Sequence, residues 1–303
     1  MTYVKRYGYR TYTGGFRGRL YRVWSVFQFH VTRSITRSFL TKLVTGLYLL
    51  LLILFHSGFV FAVQATGDFE EGYLNAALFL LENPLTIMLL IVYVGLLGSP
   101  LFADDLLYES IDTYRSRISV IEYLSGKFLA LFLLTCVFTL LPVVFDYFFL
   151  GFALGGDVID RLFLEGDHIE LLVQACFVAI LSAIYLDSLI LALSSTTTQR
   201  SHASAAFVIG SLAMTAIVIL GAALSEEGRV LLVSPVMLLF IVGAYTFDPD
   251  WAKSDSNETG FTININGENP FTSVSGIEVY AFTGAIIMLC WLVILYFVWY
   301  RRE

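Results

Sequence analysis

Two acidic residues stand inside runs that are otherwise apolar. Asp187 lies in the run 171–195 and Asp146 in the run 128–150, and neither run holds a Lys or Arg to pair with the acid. A charge at membrane depth must face protein or water, where it can contact a substrate or carry a proton. We therefore name both as candidate pathway residues. The alternatives are an interfacial position for Asp146 and, for Asp187, protonation or a hydrogen bond to Ser182, Tyr185 or Ser188.

Residues that commonly bind metals or nucleotides show no suitable spacing. The four histidines and three cysteines are scattered, and the chain has no HExxH or CxxC pattern. Its only Gly-Lys pair, Gly126-Lys127, is followed by Phe128, so the hydroxyl of a phosphate-binding loop is missing. We therefore expect this chain to bind no metal and to have no phosphate-binding loop of its own.

The amino-acid composition indicates a membrane protein. Of 303 residues, 57% are hydrophobic and 14% are charged, and the mean hydropathy is +0.77. A soluble domain carries about 25% charged residues. These values exclude an ordinary soluble enzyme and a disordered protein, and they require several segments buried in a membrane.

Six runs of suitable length predict an all-α integral membrane protein with six transmembrane helices. A seventh run, 230–247, contains Ser234-Pro235 and is ambiguous. The predicted spans are residues 44–63, 84–102, 128–150, 171–195, 203–224 and 279–300.

The distribution of charge predicts the orientation of these spans. The first 42 residues hold nine Lys or Arg and no acid, which places the N-terminus in the cytoplasm. The loops 64–83, 151–170 and 248–278 are acidic and are expected outside. If 230–247 crossed the membrane, the last acidic loop would lie inside and the C-terminal Arg301-Arg302 outside. We therefore expect 230–247 to be an outward re-entrant segment, with both termini cytoplasmic and the chain in the plasma membrane.

The N-terminal region reads as a tail followed by an amphipathic helix. Residues 1–19 are rich in Tyr, Gly and Arg. This composition would suit RNA binding, but a flexible basic cytosolic tail explains it, and we expect no nucleic-acid partner. From Leu20 an apolar stripe recurs at helical spacing, typical of an interfacial helix on membrane lipid. This helix would act as an elbow before the first span, or only as an anchor. Its candidate lipid-contacting residues are Trp24, Arg22, Arg33 and Arg37.

The segment 102–127 is too charged to span and too apolar for a slack loop. It predicts one or two short helices on the cytosolic surface, which could contact a soluble partner. The alternative is a surface helix with a solvated charged face. The candidate partner-coupling residues are Asp104, Asp105, Glu109, Arg115, Arg117, Glu122 and Lys127.

Three short patterns follow one another along the chain. They are Ser119, Glu122, Gly126 and Lys127 before the third span, Leu193-Ser194-Ser195, Gln199-Arg200, Ala203 and Ala205-Ala206 between the fourth and fifth, and Ser234-Pro235 before the last. In this order, and over about residues 20–303, the chain resembles the transmembrane subunits of ABC type-2 exporters. Asp104 and Asp105 stand where the family often has Glu. Arg117 stands where Pro is common, and the upstream Gly-Thr pair of the family is absent.

The resemblance implies a permease subunit that works as a homo- or heterodimer, is not itself an enzyme and binds no cofactor of its own. A separate ATP-binding cassette ATPase would bind ATP and Mg and supply the energy, through a cytosolic coupling helix in segment 102–127. Two alternatives remain open. A secondary transporter or channel would be expected to show paired intramembrane ions or inverted repeats, and a membrane scaffold would not transport.

Overall fold

The computed structural model describes residues 18–37, 39–66, 84–108, 118–144, 166–225, 228–247 and 274–300. Within these ranges the chain forms eight α-helices and one 3₁₀ helix, Gly228–Val233, and no strand. The α-helices are α1 Arg19–Arg37, α2 Phe39–Thr66, α3 Pro84–Leu107, α4 Val120–Val144, α5 Gly166–Thr196, α6 Arg200–Ser225, α7 Pro235–Phe247 and α8 Gly276–Val298.

Five of the helices are long and apolar enough to cross a membrane. They contain the stretches Thr86–Leu107, Val120–Val144, Leu172–Thr196, Arg200–Ala222 and Gly276–Val298. At 1.5 Å per residue, even a 22-residue stretch reaches about 33 Å, the thickness of a hydrocarbon layer. A sixth candidate is the pair Arg19–Thr36 and Phe39–Leu54, which passes the same test together but is bent by 75°. The all-helical fold with membrane-length helices is thus confirmed.

Helices α3 and α5 form the centre of the bundle. In their apolar stretches 72% and 61% of residues are buried, against 22% in both α6 and α8. At their crossing Gly98 meets Ile190, where an added Cβ would lie 2.5 Å from the Ile190 Cγ2. The missing side chain lets the two helices approach closely. Helices α6 and α8 instead present large apolar side chains outward, such as Ile217 and Leu292, as expected of helices that face lipid.

Two helices run past the ends of the predicted spans. The helix α3 continues to Leu107 rather than stopping near residue 102, and α4 begins at Val120 rather than near residue 128. Both extensions carry charged residues, which had marked the ends of the apolar runs. Those charges are paired with other helices, as described below, so the helix continues through them.

The ambiguous run 230–247 forms the end of the 3₁₀ helix and then α7. With 13 residues, α7 is about 20 Å long, which is shorter than the roughly 30 Å hydrocarbon layer. Pro235 occupies its first position, where a missing N–H is tolerated. The Ser234 side chain accepts a hydrogen bond from the Met237 amide at 3.3 Å, which caps the helix. The re-entrant placement in a membrane stays a prediction.

Several predictions fall outside the described residues. These are the tail up to residue 17, the coupling candidates Glu109, Arg115 and Arg117, the pathway candidate Asp146, most of the three acidic loops, and Arg301-Arg302.

Candidate functional site: the charged junction

The helix α1 meets the C-terminal turn of α3 and the first two turns of α4 in a cluster of ionic side chains. We call this cluster the charged junction. It consists of Arg22, Arg33, Asp104, Asp105, Glu122, Tyr123 and Lys127.

The Glu122 side chain caps the start of α4 and also binds α1. One carboxylate oxygen accepts from Arg22 at 2.7 Å, and the other accepts from the Ser119 amide at 3.0 Å. The Ser119 hydroxyl accepts from the Glu122 amide at 3.3 Å in return. This reciprocal pair is a capping box, which satisfies backbone donors at a helix start. A single buried carboxylate therefore couples the start of α4 to α1.

A second ion pair binds α1 at a position nearer its C-terminus. The Arg33 guanidinium donates to Asp104 at 2.6 Å. Arg22 and Arg33 are eleven residues apart, which is close to three helical turns, so both project from one face of α1, about 16 Å apart. The helix is thus fastened at two points along that face, to α4 by Arg22 and to α3 by Arg33.

Lys127 links α3 to α4 from a fully buried position. Its ammonium donates to the Leu101 carbonyl and lies 2.5 Å from the Asp105 carboxylate. The Tyr123 hydroxyl donates to the same carboxylate at 2.6 Å. The ammonium also lies over the rings of Tyr123 and Phe102, 4.4 and 4.7 Å from their centroids. Carbonyl, carboxylate and ring faces together offset the desolvation of this charge.

Two small features let α1 fit against α4 between its arginines. At Gly126 an added Cβ would lie 2.7 Å from the Val26 Cβ and 3.0 Å from the Val23 carbonyl oxygen, so only glycine fits without displacement. His30 is buried on the same helix. Burial, aided by the nearby charge of Lys127, lowers the pKa of His30 to about 3, so its ring is neutral at physiological pH.

The structure brings together four predicted coupling residues, Asp104, Asp105, Glu122 and Lys127, but buries all of them. Arg22 and Arg33, expected to face lipid phosphates, form ion pairs with carboxylates. Their contact with lipid stays a prediction. On the apolar stripe of α1, Leu20 and Trp24 are exposed, and their contact with lipid stays a prediction. Arg37 lies at the end of α1, and its side chain is outside the described residues.

Sequence reasoning missed Tyr123 and His30. One signal was available for Tyr123. It lies four residues before Lys127, and this spacing places both side chains on one face of α4. The eleven-residue spacing of Arg22 and Arg33 likewise places both arginines on one face of α1.

Ser194, from the second of the three sequence patterns, lies at the crossing of α5 and α3. The Ser194 hydroxyl oxygen accepts from the amides of Phe102 and Ala103, both at 3.1 Å, and donates to the Ser99 carbonyl at 2.8 Å. These backbone groups surround Pro100, which has no N–H of its own. One hydroxyl from α5 thus supplies hydrogen bonds around the proline of α3.

Asp187 forms a separate polar cluster between α5 and α4. It is fully buried, and one carboxylate oxygen accepts from the Thr135 hydroxyl at 2.8 Å. The other oxygen has no hydrogen-bond partner among the described residues. The expected partners on its own helix do not bind it: Ser188 donates to the Ile184 carbonyl. The acid therefore contacts the neighbouring helix, as a group that faces protein.

We expect Asp187→Asn to leave the apparent melting temperature in detergent at or above that of the wild type. The amide keeps an acceptor for Thr135 and removes a charge that has no counter-ion in the described part of the bundle. Asp187→Leu is the matched control, because it removes the acceptor and should destabilise by about 1–3 kcal/mol. A fall of more than about 2–4 °C in Asp187→Asn would show that the charge itself is stabilising.

No group of three or more His, Cys, Asp or Glu that could hold a metal occurs in the described ranges. What the geometry offers is a set of interhelical ion pairs at one end of a membrane-length bundle and one buried acid within it. The chain matches no protein-family model and no curated protein.

Proposed function

We propose that this chain is the permease subunit of an ATP-driven ABC exporter. Two such subunits would form the transmembrane pathway, and each would be driven by a separate ATPase that binds ATP and Mg. One observation carries the proposal. Ser119, Glu122, Gly126 and Lys127, the residues of the first matching pattern, all contact their partners at or beside the charged junction.

The proposed topology has six spans, with both termini in the cytoplasm of a plasma-membrane protein. The exposed apolar residues of α1 and the 75° bend that follows support an interfacial elbow helix. The short length of α7 supports a re-entrant segment on the outer side.

We propose that the surface that contacts the ATPase is formed by exposed residues and not by the buried acids of the charged junction. Tyr108, at the end of α3, and Ile121, at the start of α4, are 73% and 76% exposed. They flank the segment 109–117, which holds the candidates Glu109, Arg115 and Arg117. We propose that the ATPase contacts this surface, and that the charged junction transmits its movement to α1. ATP binding would then shift the population between two arrangements of the pathway.

Co-purification tests this proposal directly. The tagged chain, extracted from its own cell in mild detergent, should bring down an ATP-hydrolysing protein in a defined ratio. Tyr108→Ser/Ile121→Ser should lower the recovered ATPase activity about tenfold or more, because two apolar contacts of about 1.5–3 kcal/mol each are lost. Ile277→Ser is the matched control, since Ile277 is 83% exposed at the start of α8.

Two results would contradict the proposal. One is a wild-type chain that recovers no ATP-binding protein. The other is an equal loss of ATPase in the control and the double variant, which would show a general effect on folding.

The second candidate is a secondary transporter or channel, which the unpartnered oxygen of Asp187 favours. Reconstituted vesicles separate the two functions, because uptake would follow an ion gradient without ATP. A non-transporting scaffold would give no uptake under either condition.

A further inference from the structure

A cavity of about 880 Å³ lies where the bend between α1 and α2 approaches α3 and the first turns of α6. Its polar side is formed by His30, Arg33, Ser34, Arg200, Ser201 and Ser204. The cavity is on the same end of the bundle as the charged junction, because Arg33 and Asp104 belong to both.

His30 is a buried polar group whose ring packs against Phe29 but has no hydrogen-bond partner among the described residues. It is 4% exposed, lines the cavity, and its ring forms no hydrogen bond with any described residue. Buried polar side chains are normally hydrogen-bonded, so an imidazole in this position indicates a ligand or solvent group in the cavity.

The charge of the cavity is positive. Arg33 and Asp104 neutralise each other at 2.6 Å, whereas Arg200 is not paired with any carboxylate in the described ranges. Arg200 is also the first residue of the 26-residue helix α6. Helix N-termini present free amides and a partial positive charge, which favour anions. The Arg200 side chain, the start of α6 and the hydroxyls of Ser201 and Ser204 therefore lie on one side of the cavity.

The other side of the cavity is apolar and opens toward the outside of the bundle. It is lined by Leu40, Val208 and Ile209. Leu40 and Ile209 are also more than half exposed on the outer surface of their helices, which faces lipid in a membrane protein. An occupant therefore needs an anionic group at one end and a hydrocarbon portion at the other.

We propose that this cavity binds one phospholipid with an anionic head group, with its phosphate near Arg200 and Ser201 and an acyl chain along Val208 and Ile209. A free phosphate would use only the polar side. The ammonium of a zwitterionic lipid would meet the positive charge of Arg200. The site does not depend on the proposed transport function.

Native mass spectrometry of the purified chain tests the proposal, with phosphatidylglycerol and phosphatidylcholine as probes. We expect the wild type to retain phosphatidylglycerol preferentially. Arg200→Gln should weaken its binding about tenfold, as expected for the loss of a charge-assisted contact. Arg229→Gln is the matched control, because Arg229 is exposed beyond the opposite end of α6 and pairs with Glu278. The Arg229→Gln variant should bind phosphatidylglycerol as strongly as the wild type does.

A second pair of variants tests the position of the lipid. Ala205 lines the cavity and Ala206, its neighbour, is exposed but does not line it. Ala205→Trp should abolish phosphatidylglycerol binding, and Ala206→Trp should retain it. Size-exclusion profiles report folding, and if Ala205→Trp does not fold, Arg200→Gln decides alone.

Three results would overturn the proposal. They are equal binding of the two lipids, unchanged binding in Arg200→Gln, and displacement of the lipid by inorganic phosphate alone. The last result would assign the polar side to a free anion.

Discussion

Lys127→Met should lower the free energy of unfolding by about 3–5 kcal/mol, because it removes one partner of a buried ion pair, the ammonium that lies 2.5 Å from the Asp105 carboxylate. The Tyr123 hydroxyl would keep its hydrogen bond to that carboxylate, and the Leu101 carbonyl would lose its bond to the ammonium. The apparent melting temperature in detergent and the yield of monodisperse protein measure the effect.

The double variant Lys127→Met/Asp105→Asn separates charge from packing. Removing both charges should recover most of the loss, since a buried pair can be replaced by neutral groups with little penalty. Asp105→Asn alone should be destabilising, because it leaves a buried ammonium. If the double variant is as unstable as the sum of the single ones, the two side chains do not form a pair.

Gly126→Ala should separate α1 from α4. The new methyl group would lie 2.7 Å from the Val26 Cβ and 3.0 Å from a backbone oxygen, and the backbone cannot rotate away as a side chain can. Overpacking of this kind destabilises by about 1–3 kcal/mol, which opposes the gain of up to about 1 kcal/mol from replacing a helical glycine. Trypsin should then cleave after Arg22 faster than in the wild type, because its ion pair with Glu122 opens.

The control for this variant is Gly284→Ala. No atom lies within 4 Å of a Cβ added there, so only the gain in helix propensity remains, and stability should stay equal or rise. Equal trypsin sensitivity in Gly126→Ala and Gly284→Ala would show that α1 does not rest on Gly126.

The long helices could be predicted because any run of about 20 apolar residues is stable as a helix across the hydrocarbon layer. Their ends could not, since Arg22 and Glu122 are 100 residues apart and Arg33 and Asp104 are 71 apart. Periodicity places an arginine on a face of its own helix, but it does not say whether phosphate or carboxylate meets that face. The carboxylate partners of Arg22 and Arg33 were missed for this reason, whereas their predicted contact with lipid stays a prediction.

Asp187 shows the same limit on a smaller scale. Its burial followed from its position in an apolar run, whereas its partner, Thr135, lies 52 residues away on another helix. The adjacent Ser188 was closer in sequence, but its hydroxyl donates to the Ile184 carbonyl of its own helix. Local hydroxyls compete for helical carbonyls, so proximity along the chain is a weak guide to side-chain pairing.

The Ser194 hydroxyl and Pro100 together divide α3 into a long first part and a terminal turn that can move separately. Beyond Pro100, the backbone of α3 is tied sideways to α5, and Asp104 and Asp105 are carried by this last turn. A tilt of α5 would therefore pull the terminal turn of α3 with it, and the proline would act as the hinge that spares the rest of the helix. Since Asp104 in that turn also binds Arg33, a movement of α5 would reach the peripheral helix α1 through the hydrogen bonds of Ser194.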